Sequence, residues 1–279
     1  MNLTKDKAVT SNQSRKRSSP TAEAVALICA AGLLAIMFWF HGAALLRSGN
    51  HLYVALATTA AFALMARLAH GVNTPGALAG AIIAFVLASR DLRMFWVLLI
   101  VFFVTLAATR AGVSRKHLLL MAEAESGRSA SQVMANLGVA ALILAIPSRN
   151  QAFLLALAGL AEVAADTTSS EIGAALSGET VLITTWEAAP PGTDGGISLS
   201  GTGAGLVAAA VTAASAAALG MVSAGAAVVI TCAGVTGMLV DSVLGATLER
   251  SRYLNNDVVN LFSTAAAALA ALGLLTVSS

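Results

Sequence analysis

The chain has 279 residues, of which 57% are hydrophobic and only 11% charged, and its formal net charge is +2. A soluble domain carries roughly 25% charged residues, so this composition leaves too little polar surface for an ordinary cytosolic enzyme, a nucleic-acid binder or a disordered chain. Two cysteines exclude a disulfide scaffold; Cys29 and Cys232 lie in apolar runs and read as small buried hydrophobes.

Five of the 16 basic residues, Lys5, Lys7, Arg15, Lys16 and Arg17, fall in the first 17 positions. This polar opening, residues 1–22, reads as a solvated cytoplasmic tail that anchors topology rather than as a headgroup-binding segment. Residues 23–279 read as a single integral membrane domain. The apolar run that follows the tail is too long for a cleaved signal peptide, so it reads as a retained first span. A helix needs ~20 mostly apolar residues to cross the hydrocarbon core. In chain order the candidate spans are about 24–46, 51–69, 74–89, 92–109, 131–147, 151–173, 197–220, 223–245 and 257–277. The expected architecture is all-α: a polytopic transmembrane bundle of about nine spans. The third span is short and opens at Pro75-Gly76, which leaves a tilted or re-entrant helix open.

With the amino terminus in the cytoplasm, nine crossings put 12 basic residues on the cytoplasmic side and four (Arg47, Arg90, Arg93 and Arg149) on the other. That bias fits the positive-inside rule. The threading also puts the polar segments 110–130, 170–196 and 246–256 on the cytoplasmic side, where chemistry is therefore expected. The pairs Gly76/Gly80 and Gly201/Gly205 read as close-packing signals between helices.

The sharpest polar constellation runs from Glu162 through Asp166, Thr167, Thr168, Ser169 and Ser170 to Glu171 and Gly173. On a helix Glu162, Asp166, Ser169, Ser170 and Gly173 share one face. Carboxylates inside a span are expensive and functional by default, and their oxygens suit Mg²⁺ shared with a substrate phosphate. A second is the loop Thr184–Ser198, with Pro190-Pro191-Gly192-Thr193-Asp194-Gly195-Gly196 leading into a helix at Gly201. Such a backbone either cradles phosphate oxygens or simply turns the chain. It is no Walker A motif. A third places Asp241, Gly245 and Glu249 on one face, with Ser242 beside them, followed by Asn255, Asn256, Asp257 and Asn260, which cap a helix, bridge helices, or bind. The fourth is the stripe Arg128, Gln132, Asn136, with Arg110, Arg115 and Lys116 adding positive charge upstream; Arg128 suits bidentate phosphate binding. His41, His51, His70 and His117 show no metal-ligand spacing, so zinc chemistry is not expected. Trp39, Trp96, Phe102 and Phe103 read as lipid-facing or core residues. This set suits metal-assisted phosphoryl or nucleotidyl transfer to a lipid, and equally the binding and movement of an anionic lipid.

In order along the chain, several of these pieces resemble the DUF92 family of integral membrane proteins, which includes the plant and cyanobacterial phytyl-phosphate kinases and the vertebrate transmembrane protein 19 group. They are Asn73-Thr-Pro-Gly-Ala, Thr109-Arg110 with Lys116, Gly127-Arg128-Ser129 with Gln132-Val-Met-Ala-Asn136, Ala165-Asp166-Thr167 with Ser170-Glu171, Pro191-Gly192-Thr193-Asp194-Gly195-Gly196-Ile-Ser198, Asp241-Ser242-Val-Leu-Gly245-Ala246, and Asn256-Asp257-Val-Val-Asn260. The resemblance runs from about His70 to the end. It implies transfer of a phosphate from a nucleoside triphosphate, CTP, to an isoprenyl or polyprenyl monophosphate, giving the diphosphate. The family pattern has two arginines where this chain has Arg128-Ser129, a departure that bears on the donor.

On this reading Asp166 and Asp241 hold Mg²⁺ (or Mn²⁺) and, with Glu171, form the catalytic set. Arg128, Thr193, Asp194, Gly195, Gly196 and Ser198 bind donor phosphates, and Asn136, Asn256, Asp257 and Asn260 bind the acceptor. Glu162, Ser170, Ser242, Arg110, Lys116 and Gln132 support them. The expected partners are the prenyl monophosphate and bilayer lipid, with no nucleic acid, and the expected location is a multi-pass position in the plasma membrane if the source is bacterial. The alternative is a flippase or transporter of a lipid-linked phosphate that uses the same polar set.

Overall fold

A computed structural model describes residues 19–113, 127–147, 151–176 and 178–278. The tail cations, Arg115, Lys116, His117 and Arg149 lie outside the described residues. Nine helices run through the described residues: α1 (Pro20–Arg47), α2 (Asn50–Leu68), α3 (Thr74–Arg90), α4 (Leu92–Arg110), α5 (Ala130–Ala145), α6 (Ala152–Leu176), α7 (Leu199–Ala218), α8 (Ala224–Leu244) and α9 (Asn256–Ser278). A π-helical turn, Gly245–Glu249, extends α8, and a two-residue hairpin pairs β1 (Val181–Leu182) with β2 (Gly196–Ile197). The protein is a polytopic all-α membrane bundle. Seven of these helices are long and apolar enough to cross a bilayer, whereas α3 and α5 are shorter.

Polar side chains at the helix starts decide where the spans begin. Ser19, Asn73, Asp91, Ser129, Ser198 and Ser223 each accept a hydrogen bond from a first-turn N–H, and Pro20 and Pro75 supply prolines that the first turn tolerates. Asn255 does the same for α9, accepting from the Val258 N–H at 2.9 Å. Ser129 and Gln132 form a reciprocal capping box.

The connections sort to two ends. At one end, residues 71–73 pair with Arg128, and Gly112 packs on Ala175. The loop at Gly195 packs on Ala246 at that same end. At the other end His51 reaches the Ser89 carbonyl, Arg90 donates to His41 Nδ1, and Arg93 donates to the Gly220 carbonyl. Successive helices therefore alternate in direction. The short α3 is one continuous helix of 17 residues, about 25 Å long, and it runs from one end to the other.

Helix α6 is the axis of the bundle. It is 72% buried over its most apolar stretch and packs against α4, α5, α7, α8 and α9. Glycines set the closest approaches. A Cβ at Gly201 would lie 2.6 Å from the Ser169 carbonyl oxygen, and one at Gly205 2.9 Å from that of Ala165, so α7 lies against α6 as the small-residue spacing predicts. Trp39, Trp96 and Phe103 are exposed on the outside of the bundle, which in a membrane is the lipid side. The expectation that Cys29 and Cys232 are buried is not met: both are exposed. An apolar run inside a bilayer has lipid on one flank, so apolarity there does not imply contact with protein.

Candidate functional site

Glu162 lies ten residues into α6, about 15 Å from its start, and is 2% exposed. Its carboxylate accepts from Ser263 Oγ and Thr264 Oγ1 of α9, each at 2.8 Å. Each hydroxyl has one hydrogen and also faces the Asn260 carbonyl at 3.0 and 2.8 Å. That one hydrogen serves either Glu162, tying α9 to α6, or the Asn260 carbonyl within α9. Two glycines of α8 make room for it. A Cβ at Gly237 would lie 2.5 Å from Glu162 Cγ, and one at Gly234 3.1 Å from the Glu162 nitrogen.

Asp166 is one turn further along α6, and its carboxylate interacts electrostatically with those of Glu162 and Asp241 and with the Arg128 guanidinium. Asp241 comes from the last turn of α8, ahead of the π turn; π-helical insertions of this kind are frequent at functional sites. Its carboxylate lies within hydrogen-bonding reach of Ser263, but its Oδ2 is buried with no hydrogen-bond partner. Two helices, α6 and α8, thus bring three carboxylates together. A proton or a cation among them would offset their mutual repulsion, and the orphaned buried Asp241 Oδ2 fits either. Among the described residues no three His, Cys, Asp or Glu side chains are disposed to hold a metal by themselves. Mg²⁺ does not need that, since it takes one or two carboxylates and completes its shell with water and phosphate oxygens.

Arg128 closes the site from the α5 side. Its Nη2 donates to Thr167 Oγ1 at 3.3 Å. Its backbone is held on both sides, with the Arg128 N–H bonded to the Gly71 carbonyl and the Arg128 carbonyl to the Asn73 N–H. Gly127 has φ +79°, and a Cβ there would sit 2.5 Å from the His70 carbonyl oxygen, so that turn needs glycine. Gln132 and Asn136 follow Arg128 on α5. Gln132 is committed to the capping box, and Asn136 Nδ2 donates back to the Gln132 carbonyl at 2.8 Å.

The glycine-rich loop behaves differently from an open phosphate cradle. The Thr193 and Gly196 N–H groups are spent inside the loop, on Pro190 and Thr193 carbonyls, and Thr193 Oγ1 donates to Pro190. Gly195 has φ +76° and packs so closely on Ala246 that a Cβ would collide with its backbone. Ser198 caps α7. These residues fix the loop against the π turn that follows Asp241, and Asp194 lies within it.

The other residues expected in the site scatter. Ser170 is exposed and donates to the Thr167 carbonyl, and Glu171 is half-buried beside it. Ser242 bonds back into its own helix. Asn256 is exposed, Asn260 is buried at the level of Ser263, and Asp257 accepts from Ser131. Arg110 donates to the Ala69 carbonyl at 2.6 Å. Lys116 lies outside the described residues.

Sequence reasoning missed Ser263 and Thr264, whose signal was hydroxyls three and four residues after Asn260. It also missed Glu23, which accepts from Asn73 Nδ2 at 3.1 Å and the Ala130 N–H at 2.8 Å and so ties α1 to α3 and α5.

The profile of the family described as integral membrane protein DUF92 matches residues 57–268. The chain belongs to this family. It is 32% identical over 219 residues to an uncharacterized membrane protein of Methanocaldococcus jannaschii, covering 76% of this chain and 90% of that one. An uncharacterized membrane protein of Synechocystis is 34% identical over 195 residues, 67% of this chain and 76% of its own. The chloroplast protein VTE6 of Arabidopsis thaliana is 32% identical over 183 residues, 61% of this chain and 55% of its own. No solved structure matches the chain. The matched region contains all three carboxylates and Arg128.

Proposed function

We propose that this DUF92 protein is a membrane-embedded kinase that converts an isoprenyl or polyprenyl monophosphate to its diphosphate, with CTP as donor. The observation that carries the reading is the meeting of Glu162 and Asp166 of α6 with Asp241 of α8, with the Arg128 guanidinium interacting electrostatically with Asp166. Membership of a family that by resemblance includes phytyl-phosphate kinases supports the same class of substrate. The face holding the site is the cytoplasmic one on the positive-inside argument, where nucleoside triphosphates are found.

The acceptor is already an anionic phosphate, so no general base is required. Its oxygen attacks the γ-phosphorus, the bond from γ-phosphorus to the β,γ-bridging oxygen breaks, and the nucleoside diphosphate leaves with that electron pair. Asp166 and Asp241 would hold Mg²⁺, which supplies charge neutralisation on the phosphates. Arg128 offsets the charge of a phosphate beside Asp166, and Glu162, held by Ser263 and Thr264, keeps α6 and α9 in register around the two aspartates.

The flippase reading keeps one observation in its favour. At the opposite end a second polar cluster joins Arg90 to His41 at 2.8 Å, and His41 Nε2, Ser89 Oγ and Arg90 Nε are buried without hydrogen-bond partners. Purified protein in lipid, given labelled CTP and a panel of prenyl monophosphates, separates the two. Label appearing in a prenyl diphosphate, and lost in Asp166→Asn with the thermal unfolding profile intact, supports the kinase. Transfer that survives Asp166→Asn removes the assignment of the site, and saturable binding without transfer moves the reading to the flippase.

A further inference from the structure

A cavity of about 270 Å³ opens beside Arg128, between α2, α3, α4 and α5, with Val163 of α6 at one side. Its walls are apolar or small, with Phe62 and Ala66 from α2, Gly80 from α3, and Val101 and Phe102 from α4. Phe62 meets Phe95 and Phe102 edge-on, with ring centroids 5.8 and 5.3 Å apart. The charged and imidazole groups of the lining, His70, Arg110 and Arg128, are at the site end, and Thr105 of α4 and Asn136 of α5 are polar residues further along the wall. From Arg110 the α4 wall runs down to Leu98, twelve residues or about 18 Å along the helix. The pocket therefore pairs a cationic mouth with an apolar slot lying along the membrane normal.

We infer that this cavity holds the proximal isoprenoid chain of the acceptor, with the monophosphate on Arg128, so that Arg128 belongs to the acceptor and not to the donor. For the identity of the ligand this rests on the kinase reading above. The geometry argues it in three steps. The ligand's charge must match two guanidinium groups at the mouth, which a phosphate does. Its body must be apolar, as most of the lining away from the mouth is, and at ~30 Å³ for a water-sized group the cavity takes only the proximal part of one chain, roughly nine carbons, or about two isoprene units. And the phosphate at Arg128 must adjoin the carboxylate site, because Arg128 bonds to Thr167 and interacts electrostatically with Asp166. The remaining chain would continue into lipid.

Gly80 offers a direct probe. It lines the cavity, and a Cβ there would find only Val133 Cγ1, at 3.9 Å. A side chain at this position thus grows into the slot without disturbing the helix backbone. The protein in phosphatidylcholine nanodiscs is photolabelled with a prenyl monophosphate carrying a diazirine on its second isoprene unit, and labelled peptides are mapped by mass spectrometry. Labelling needs no phosphoryl transfer. The expected result is saturable label concentrated in α2–α5, at least tenfold weaker binding in Arg128→Gln, and label lost in Gly80→Leu but only reduced in Gly80→Ala. Both glycine variants must remain monodisperse; if Gly80→Leu does not, the graded loss in Gly80→Ala decides. Label confined to the seams of α7–α9, or unchanged in both glycine variants, overturns the inference even if the protein transfers phosphate. Equal competition by phosphatidic acid overturns it too, in favour of a bilayer-lipid site. Label in α2–α5 from a protein that transfers no phosphate keeps the cavity assignment and defeats the kinase reading instead.

Discussion

The hydroxyls of Ser263 and Thr264 should be worth measurable stability only while Glu162 carries its carboxylate. Thr264→Val keeps the side-chain shape and removes the donor that lies 2.8 Å from Glu162. A hydrogen bond to a charged group contributes about 1.5–3 kcal/mol in soluble proteins, while bonds between transmembrane helices average about 0.6 with a maximum near 1.7. Glu162 is 2% exposed, so bulk solvent has little access to replace the lost donor, and the upper end of the membrane range applies, about 1–2 kcal/mol. Ser263→Ala should cost somewhat less, since its single hydrogen is shared between the reach of Glu162 and of Asp241. The assay is thermal unfolding in detergent, run as a cycle of Thr264→Val with Glu162→Gln. At roughly 2–4 °C per kcal/mol, Thr264→Val should lower Tm by about 2–8 °C in the native background and by under half of that in Glu162→Gln. Equal losses in both backgrounds would mean that Thr264 serves its own helix through the Asn260 carbonyl, and the bridge from α6 to α9 would fall.

Two further perturbations test the rest of the architecture. Gly195→Ala must find room against the Ala246 backbone in a left-handed conformation, so it should destabilise the protein by more than the roughly 1 kcal/mol that strain alone costs and lower Tm accordingly, whereas Gly273→Ala, with nothing within 4 Å, should leave Tm unchanged or slightly raised. At the opposite face, burial pushes the Asp91 carboxyl up, but the hydrogen bonds and charge of Arg93 outweigh it and hold the group below the usual carboxylate range. Stability from that pair is therefore fully present above the unfolded carboxylate range and lost as pH falls through the lower folded value. Asp91→Asn should unfold earlier than the native protein at pH 7, and the two melting curves should converge as the buffer is taken below the normal carboxylate titration; a gap that persists there would reject the ion-pair account.

The span pattern was legible because bilayer thickness and helix rise leave little freedom, and because Ser19, Asn73, Asp91, Ser129, Ser198 and Ser223 stand at the starts of the apolar runs they cap. The in-span acids were legible for the same reason that they are rare. What the pattern did not contain was partnership across the bundle. Ser263 and Thr264 look like minor polar residues in an apolar helix until α6 lies beside them, and Glu23 looks like a first-turn acid until it reaches Asn73 and the Ala130 N–H. The glycine-rich loop was ambiguous in the sequence between a phosphate cradle and a turn. Its φ and its collision geometry explain Gly195 through contact with Ala246, a long-range packing demand that local composition renders identical to a phosphate cradle. The cavity beside Arg128 was equally hidden, since its walls come from five helices and its key residue, Gly80, was read only as a packing signal.

Asp241 separates a structural from a functional origin for the acid cluster. A carboxylate retained for stability should be satisfied, as Glu162 is, and its loss should cost stability. Asp241 instead has a buried Oδ2 without a partner and two like charges in range. Asp241→Asn keeps the shape, removes the repulsion and supplies an amide that can donate to a neighbouring carboxylate. On the proposed function it should leave Tm unchanged or raise it by a few degrees while abolishing phosphoryl transfer, and it should also weaken the protection against unfolding that added Mg²⁺ gives the native protein. A structural acid predicts the reverse: a lower Tm, residual transfer and the same response to Mg²⁺. The two accounts differ in sign on stability and in outcome on activity, so Asp241→Asn, measured for both, decides whether this buried charge is kept for the fold or for the phosphate.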